Sequence, residues 1–453
     1  MKKNRISLSE YQRAFLSRII VIPSVGGTSE EGAPYGREPR LVLQTFLEEA
    51  KAKGFRTGVV GDRAGWAEIG QGDKLLGIIC HLDVVPVGDG WDSDPFLLCF
   101  REDESGHPSM YARGIVDDKG PACAAYFALL ELASENRIPD GCRVRLILGT
   151  DEERTCSCIQ YYAKHGEIPD LSITPDSVFP VIYSEKGIMQ VRSSGENIQD
   201  FTAVGGSAVN IVPASAMCEV AGKTINVTGR AAHASKPELG INAIELLAKA
   251  MEEESIDLND HPVMKFVRDF DAKDFIGYEG AGDYGELTYN IGMLKAGENG
   301  CELRINLRIP YDVDHDEIIE KLTRKAAEYD LRSEITLDLP PFFEDKNSKE
   351  VRILTDIWKR HMDKFTGFKE EYRDIHTEPK VVGVGTYARH IPNTIAFGIQ
   401  APWQTDQCHQ ANEHVTVTDF IQWIQMIREY ILEAGRSLSV QSRKSETGIR
   451  ETT

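Results

Sequence analysis

The sequence predicts an α/β protein in which a mixed, mostly parallel sheet flanked by helices is interrupted by an inserted α+β domain. Three observations predict it. A short, continuously apolar run at 75–79 has the length and composition of a strand buried on both faces of a parallel sheet, and strands at 143–149 and 171–176 accompany it. Helical spacing surrounds them, at 8–23, 40–53, in the apolar stretch after Asp118, and at 418–434. From about residue 186 the pattern changes to strands at 217–230, 286–294, 300–309 and 333–339 among helices at 241–255, 315–329 and 348–364, which reads as a separate α+β domain with antiparallel strands. The expected organisation is a first domain in two parts, 1–185 and 378–435, an insert at 186–377, and a polar, disordered tail at 436–453.

Composition sets limits. The 453 residues are 41% hydrophobic and 27% charged, as in an ordinary globular protein of about two domains. No apolar run reaches the roughly 18 residues of a membrane span. The N-terminal MKKNRISLSEYQRAFL lacks the apolar core and cleavage site of a signal peptide. With nine cysteines, odd in number and scattered through apolar segments, it points to reduced thiols and a cytoplasmic location. Cys156 and Cys158, the one close pair, lack the second pair of a structural zinc site. A net charge of −20 argues against a nucleic-acid partner, which would require basic surface, and identifies no substrate by itself.

Taken in order, the helix at 8–23 stops at Pro23 and the helix at 40–53 is closed by Gly54. Strands at 56–60 and 66–69 precede the apolar strand that ends in His81. His81 and Asp83 are two apart, so both project to one side, where Asp83 can orient an imidazole that ligates a metal. Asp117 and Asp118 precede an apolar helix. One such acid could cap it, but two adjacent ones repel unless something positive compensates. The strand at 143–149 runs into Thr150, Asp151, Glu152 and Glu153, and the strand at 171–176 terminates at Asp176. Ligands in open parallel sheets gather at the carboxyl ends of strands, and acids converging there repel unless a cation sits among them. Farther on, His233 stands between a strand and a helix, a setting in which a lone histidine is usually structural. Gly383 and Gly385 lack the third glycine and the helix of a dinucleotide loop, and suit close approach of backbone to a ligand. A loop then carries His409, and the helix at 418–434 is capped by Thr418.

His81, Asp117, Glu153, Asp176 and His409 supply about the five nitrogen and oxygen ligands that two metal ions sharing one carboxylate require. Imidazole and carboxylate without thiolate suit zinc, or manganese and cobalt. The side chains of Glu152 and Glu153 diverge, so one can bind metal while the other takes a proton from the attacking water.

The motifs H-L-D-V-V-P, G-W-D-x-D-P-F, R-G-x-x-D-D-K-G-P, G-T-D-E-E, P-D-S-x-F-P, E-K-G and H-Q-A-N-E, in this order over residues 8 to 433, resemble the dinuclear zinc peptidase family of aminoacylase, glutamate carboxypeptidase and the carnosinase-type dipeptidases. They are most similar to bacterial PepV-like dipeptidases. The resemblance implies a zinc-peptidase catalytic domain with the insert as a substrate-binding lid. It implies that His81 and Asp176 hold one divalent ion, Glu153 and His409 the other, and that Asp117 bridges both across a cis peptide bond to Asp118. Asp83 would orient His81, and Glu152 would be the general base toward a water held between the ions. From the lid, His233 would polarise the scissile carbonyl, and Asn210 and Arg308 would receive the substrate's carboxylate. Asp151 stands where the family often has another residue, and its charge is expected to alter the base or the recognition of the substrate ammonium. Some members are dimers with a lid histidine from the other subunit; the long insert resembles the lid that supplies it in one chain. The expected substrate is a dipeptide or short peptide with a free amine, hydrolysed by a monomer or homodimer away from membranes. The alternatives are an amidohydrolase that deacylates N-acyl or N-carbamoyl amino acids, and a noncatalytic metal-dependent peptide-binding protein, against which Glu152 speaks.

Overall fold

A computed structural model describes residues 7–196, 200–278 and 282–446. The chain forms two compact units, one of residues 1–183, 344–380 and 386–453, the other of residues 184–343 and 381–385.

In the first unit the central strands are parallel. Lys74–His81 pairs with Cys142–Gly149 on one side and Leu171–Thr174 on the other, and Thr394–Ala396 continues the parallel run. Ala64–Gly70 and Arg56–Val60 add an antiparallel edge. Parallel pairing brings His81, Gly149 and Thr174 to the same end of the sheet, so the residues that follow each strand share one edge. The helix Lys119–Ser134 is apolar all round and packs against both the sheet and the helix Val417–Glu446. An aromatic cluster of Phe15, Phe46 and Tyr126, with ring centroids 5.1–5.3 Å apart, fixes it to the first two helices.

The second unit is a seven-stranded antiparallel sheet in the order Lys223–Thr228, Ser215–Val220, Phe201–Gly205, Thr288–Gly297, Gly300–Ile309, Gly187–Gly195, Arg332–Leu339. Its apolar core joins the sheet to the helices Ala243–Glu253, Pro262–Asp269 and His315–Ala327.

Several expectations need correction. Residues 344–377 belong to the first unit and not to the insert. The helix Lys349–His361 buries Leu354, Ile357 and Trp358 and packs on Val417–Glu446, to which Arg360 and His361 bind through Glu429. The expected strand 217–230 is a hairpin, Ser215–Val220 and Lys223–Thr228, that turns at Ala221 and Gly222, both with positive φ. The last helix begins at Val417, and Thr416, not Thr418, accepts the Asp419 amide at 3.0 Å. That helix also runs through Arg436 to Glu446 in place of a disordered tail, because Leu438 is buried and Ser439 donates to the Asp140 carbonyl. The remainder of the expected tail, 447–453, lies outside the described residues. Among the described residues, no helix is long and apolar enough to cross a membrane.

Candidate metal centre

The strand Lys74–His81 ends on a fully buried imidazole. Its Nδ1 lies 3.0 Å from the main-chain carbonyl of Asp83 and 3.6 Å from that residue's carboxylate. A carbonyl oxygen only accepts, so Nδ1 carries the proton and Nε2 faces Asp117 Oδ1 at 3.0 Å and Asp176 Oδ2 at 3.8 Å. Asp83 thus meets the imidazole with its main-chain carbonyl at hydrogen-bond distance and its carboxylate close beside it. That carboxylate accepts the amides of Glu152 at 3.1 Å and Glu153 at 3.0 Å, and so fixes the turn carrying the acidic pair.

Asp117 faces two ways. Its Oδ2 lies 3.1 Å from His409 Nε2, which is also 3.0 Å from Glu153 Oε2. Two sets of potential ligands result, His81 with Asp117 and Asp176, and Asp117 with Glu153 and His409; in each, the ligand atoms lie within 4.8 Å of one another. The Asp117–Asp118 peptide bond is cis, as the resemblance implies. Asp118 stands at the helix N-cap without capping it; it accepts the His81 amide at 2.9 Å. Both aspartates therefore serve the site edge and not the helix end.

The electrostatics fit cations. Burial opposes charge on His81, yet its bonds to Asp117 and Asp83 and the charge of Asp176 raise its pKa well above the ordinary value. Hydrogen bonds to Asp117 and Glu153 push His409 up to about 11. A divalent ion among these carboxylates would supply the positive charge that the site favours. Glu153 Oε1 is buried with no hydrogen-bond partner, an acceptor left over for such an ion. Beside the ligands, burial and the charges of Glu153, Asp117 and Asp83 push the Glu152 carboxyl up to about 8 against the opposing charge of His81.

Asp151 is buried and bound to Arg154 at 2.9 Å, to Ser157 Oγ at 2.8 Å and to Thr155 Oγ1. Its charge is consumed in building the turn, so the expected effect on an ammonium group has no support here.

Sequence reasoning missed what the rest of H-Q-A-N-E does. Asn412 accepts the Asp92 amide at 3.0 Å and donates to the Gly90 carbonyl, holding the G-D-G-W-D loop. Glu413 is fully buried against Arg113 and the loop that ends in Asp117. The signal was an acid flanked by no exposed face, too slight to read from one sequence.

Asn210, His233 and Arg308 belong to the second unit, where a connected series of contacts links them. The Asn210 carbonyl accepts the Ala234 amide at 2.9 Å, His233 Nδ1 lies 2.7 Å from Ser235 Oγ, and Ser235 lies near enough to Gly383 that a Cβ added there would be 3.2 Å from the serine Cβ. The Gly383 carbonyl in turn accepts from Arg308 Nη1 at 2.8 Å. His233 and Asn210 are exposed, and Arg308 is buried.

The profile of "Peptidase family M20/M25/M40" matches residues 77–433. A "Putative dipeptidase" of Staphylococcus aureus strain MW2 is 32% identical over 448 residues, covering 88% of this chain and 92% of that protein. Among solved structures, human carnosine dipeptidase 1 aligns with a TM-score of 0.56 at 15% identity over 94% of this chain and 97% of that one. Aminoacylhistidine dipeptidase from Vibrio alginolyticus aligns with a TM-score of 0.58 at 16% identity over 95% and 98%. These two likenesses establish shared architecture, while the family assignment rests on sequence. With two ligand sets at the strand ends and the profile spanning most of the chain, this protein belongs to peptidase family M20/M25/M40.

Proposed function

We propose that the protein is a cytoplasmic dipeptidase that uses two divalent ions, zinc foremost and manganese or cobalt as substitutes, on dipeptides or short peptides with a free N-terminal amine. The observation that carries the reading is the pair of ligand sets sharing Asp117, with Glu152 beside them. The dipeptidase names of related proteins support the substrate class. All nine cysteines are free thiols, which supports a reducing compartment.

His81 and Asp176 would hold one ion, Glu153 and His409 the other, and Asp117 both. Bound divalent ions polarise a carbonyl and acidify water. Glu152 accepts a proton from the attacking water as its oxygen bonds to the scissile carbon, then returns it to the amine nitrogen as the C–N bond breaks. Asp83 keeps Glu152 in place through the turn amides. In the second unit, His233 donates to the scissile carbonyl oxygen, and Asn210 and Arg308 bind the substrate's terminal carboxylate, for which guanidinium geometry is suited.

The test is Glu152→Gln assayed on a dipeptide panel. Metal content should stay near that of the parent while turnover falls by about a thousandfold or more, since shape survives and the proton acceptor does not. Retention of activity within about tenfold would remove Glu152 from the mechanism. N-acetylation of the substrate should abolish turnover by the parent; undiminished turnover would reassign the enzyme to deacylation.

A further inference from the structure

The two ligand sets come from different parts of the chain, and one buried carboxylate ties them together. Glu413 lies four residues after His409 and has no solvent exposure. Its Oε2 accepts from Arg113 Nη1 at 2.7 Å and from the Gly114 amide at 3.0 Å. Its Oε1 accepts from the amides of Val116 at 2.7 Å and Asp117 at 3.2 Å. The Glu413 main chain joins in, because its carbonyl accepts the Ala112 amide at 3.1 Å. Thus the short segment from Ala112 to Asp117 hangs on one residue. Arg113 is itself fully buried and braced, with Nη2 3.3 Å from the Val87 carbonyl and its guanidinium over the Trp91 ring.

A carboxylate taken out of water without partners is costly, and here four donors offset part of that cost. The main-chain donors are what distinguish this arrangement: they run up to the Asp117 amide, one residue's length from the oxygens that face His81 and His409. We infer that Glu413 is a positioning residue that couples the two ligand sets. It sets Asp117 relative to the His409 loop so that both of its oxygens are directed at once. Loss of the Glu413 clasp misplaces Asp117 toward both sets, so the two ions weaken together and not one alone. Arg113 supports the clasp by compensating its charge.

This rests on the two-metal reading above, and the experiment separates the two. Metal-free parent, Glu413→Gln and Arg113→Met are titrated with manganese and with zinc against a chromophoric chelator, and the thermal unfolding of each metal-free protein is recorded. Arg145→Met is the control, since it breaks a buried ion pair with Glu68 in the middle of the strand Cys142–Gly149, away from the strand end that carries the site. In Glu413→Gln the amide oxygen can still accept from Val116 and Asp117, but its NH2 meets the donors of Arg113 and Gly114. The expected result is affinity for both ions at least about tenfold weaker in Glu413→Gln, and weaker by a smaller factor in Arg113→Met, with parent affinity in folded Arg145→Met despite a lower melting temperature. If Glu413→Gln does not fold, Arg113→Met decides by the same criterion. Parent-like affinities in the folded clasp variants, weakening of one ion only, or equal weakening in the control would each overturn the inference. A parent that binds no metal would overturn the two-metal reading itself.

Discussion

Asp83 acts through two different groups, its carbonyl on His81 and its carboxylate on the turn of Glu152 and Glu153, and substitution separates them. Asp83→Asn keeps the carbonyl and replaces one acceptor oxygen by a donor. Metal on the His81 side should therefore persist while kcat drops by about tenfold to a hundredfold through the loosened turn. Metal analysis that shows loss of one ion with parent-like kcat per remaining site would count against this division. Asp117→Ala should release at least one ion, because each of its oxygens faces a different histidine; retention of two ions would refute the shared carboxylate. The candidate ligands were legible in the sequence because strand-end acids and imidazoles have no other reason to converge. Glu413 was not, since a carboxylate bonded mainly to backbone amides leaves no partner pattern among side chains, and neither was the role of the Asp83 carbonyl, which every residue possesses.

The helix Lys119–Ser134 shows how an element can depend on one missing atom. A Cβ on Gly120 would lie 1.9 Å from the Ile115 carbonyl oxygen, within the turn that delivers Asp117. Gly120→Ala should cost about 3 kcal/mol or more, because backbone, and not a flexible side chain, must move. At Gly297 an added Cβ meets nothing within 4 Å, so Gly297→Ala should change stability by less than about 0.5 kcal/mol. Denaturant unfolding of both variants checks the contrast, and equal losses would show that the close approach does not constrain the turn. Apolar period and length were enough to find the parallel strands and this helix. They did not find Gly187–Gly195 and Phe201–Gly205, whose half-buried alternation mixes serine, glutamine and threonine with apolar residues. Nor did they separate the two strands of the 215–228 hairpin, because Gly222 was the lone turn signal and the other positive-φ residue, Ala221, carries none.

At the scale of the molecule, acid should act partly through His390, whose Nε2 is buried without a partner. Burial, then the charge of Arg389, lowers its pKa from 6.5 to about 4. Between these values the unfolded chain takes up a proton that the folded chain refuses, so stability is lost as the pH falls through that window. His390→Leu should lose less melting temperature than the parent between about pH 7.5 and about pH 5, and identical losses would mean that His390 protonates freely in the fold. The division into a discontinuous first unit and an insert was visible in the change of pattern near residue 186, but the return point was not. An amphipathic helix such as Lys349–His361 does not announce which sheet it will cover, and only its packing on Val417–Glu446 assigns it. The threading of the first unit has a consequence for biosynthesis. The ribosome releases His81, Asp117, Glu153 and Asp176 first, then the whole of Ser184–Phe343, and only afterwards His409 and Glu413. The second unit holds its complete sheet early and can fold as a body while the first still lacks the strands Thr394–Ala396 and His414–Thr416, the helices Lys349–His361 and Val417–Glu446, and a candidate ligand. A nascent chain stalled before residue 409 thus carries four of the five candidate ligands without the His409 loop, and a site built from all five would wait until that loop has been made.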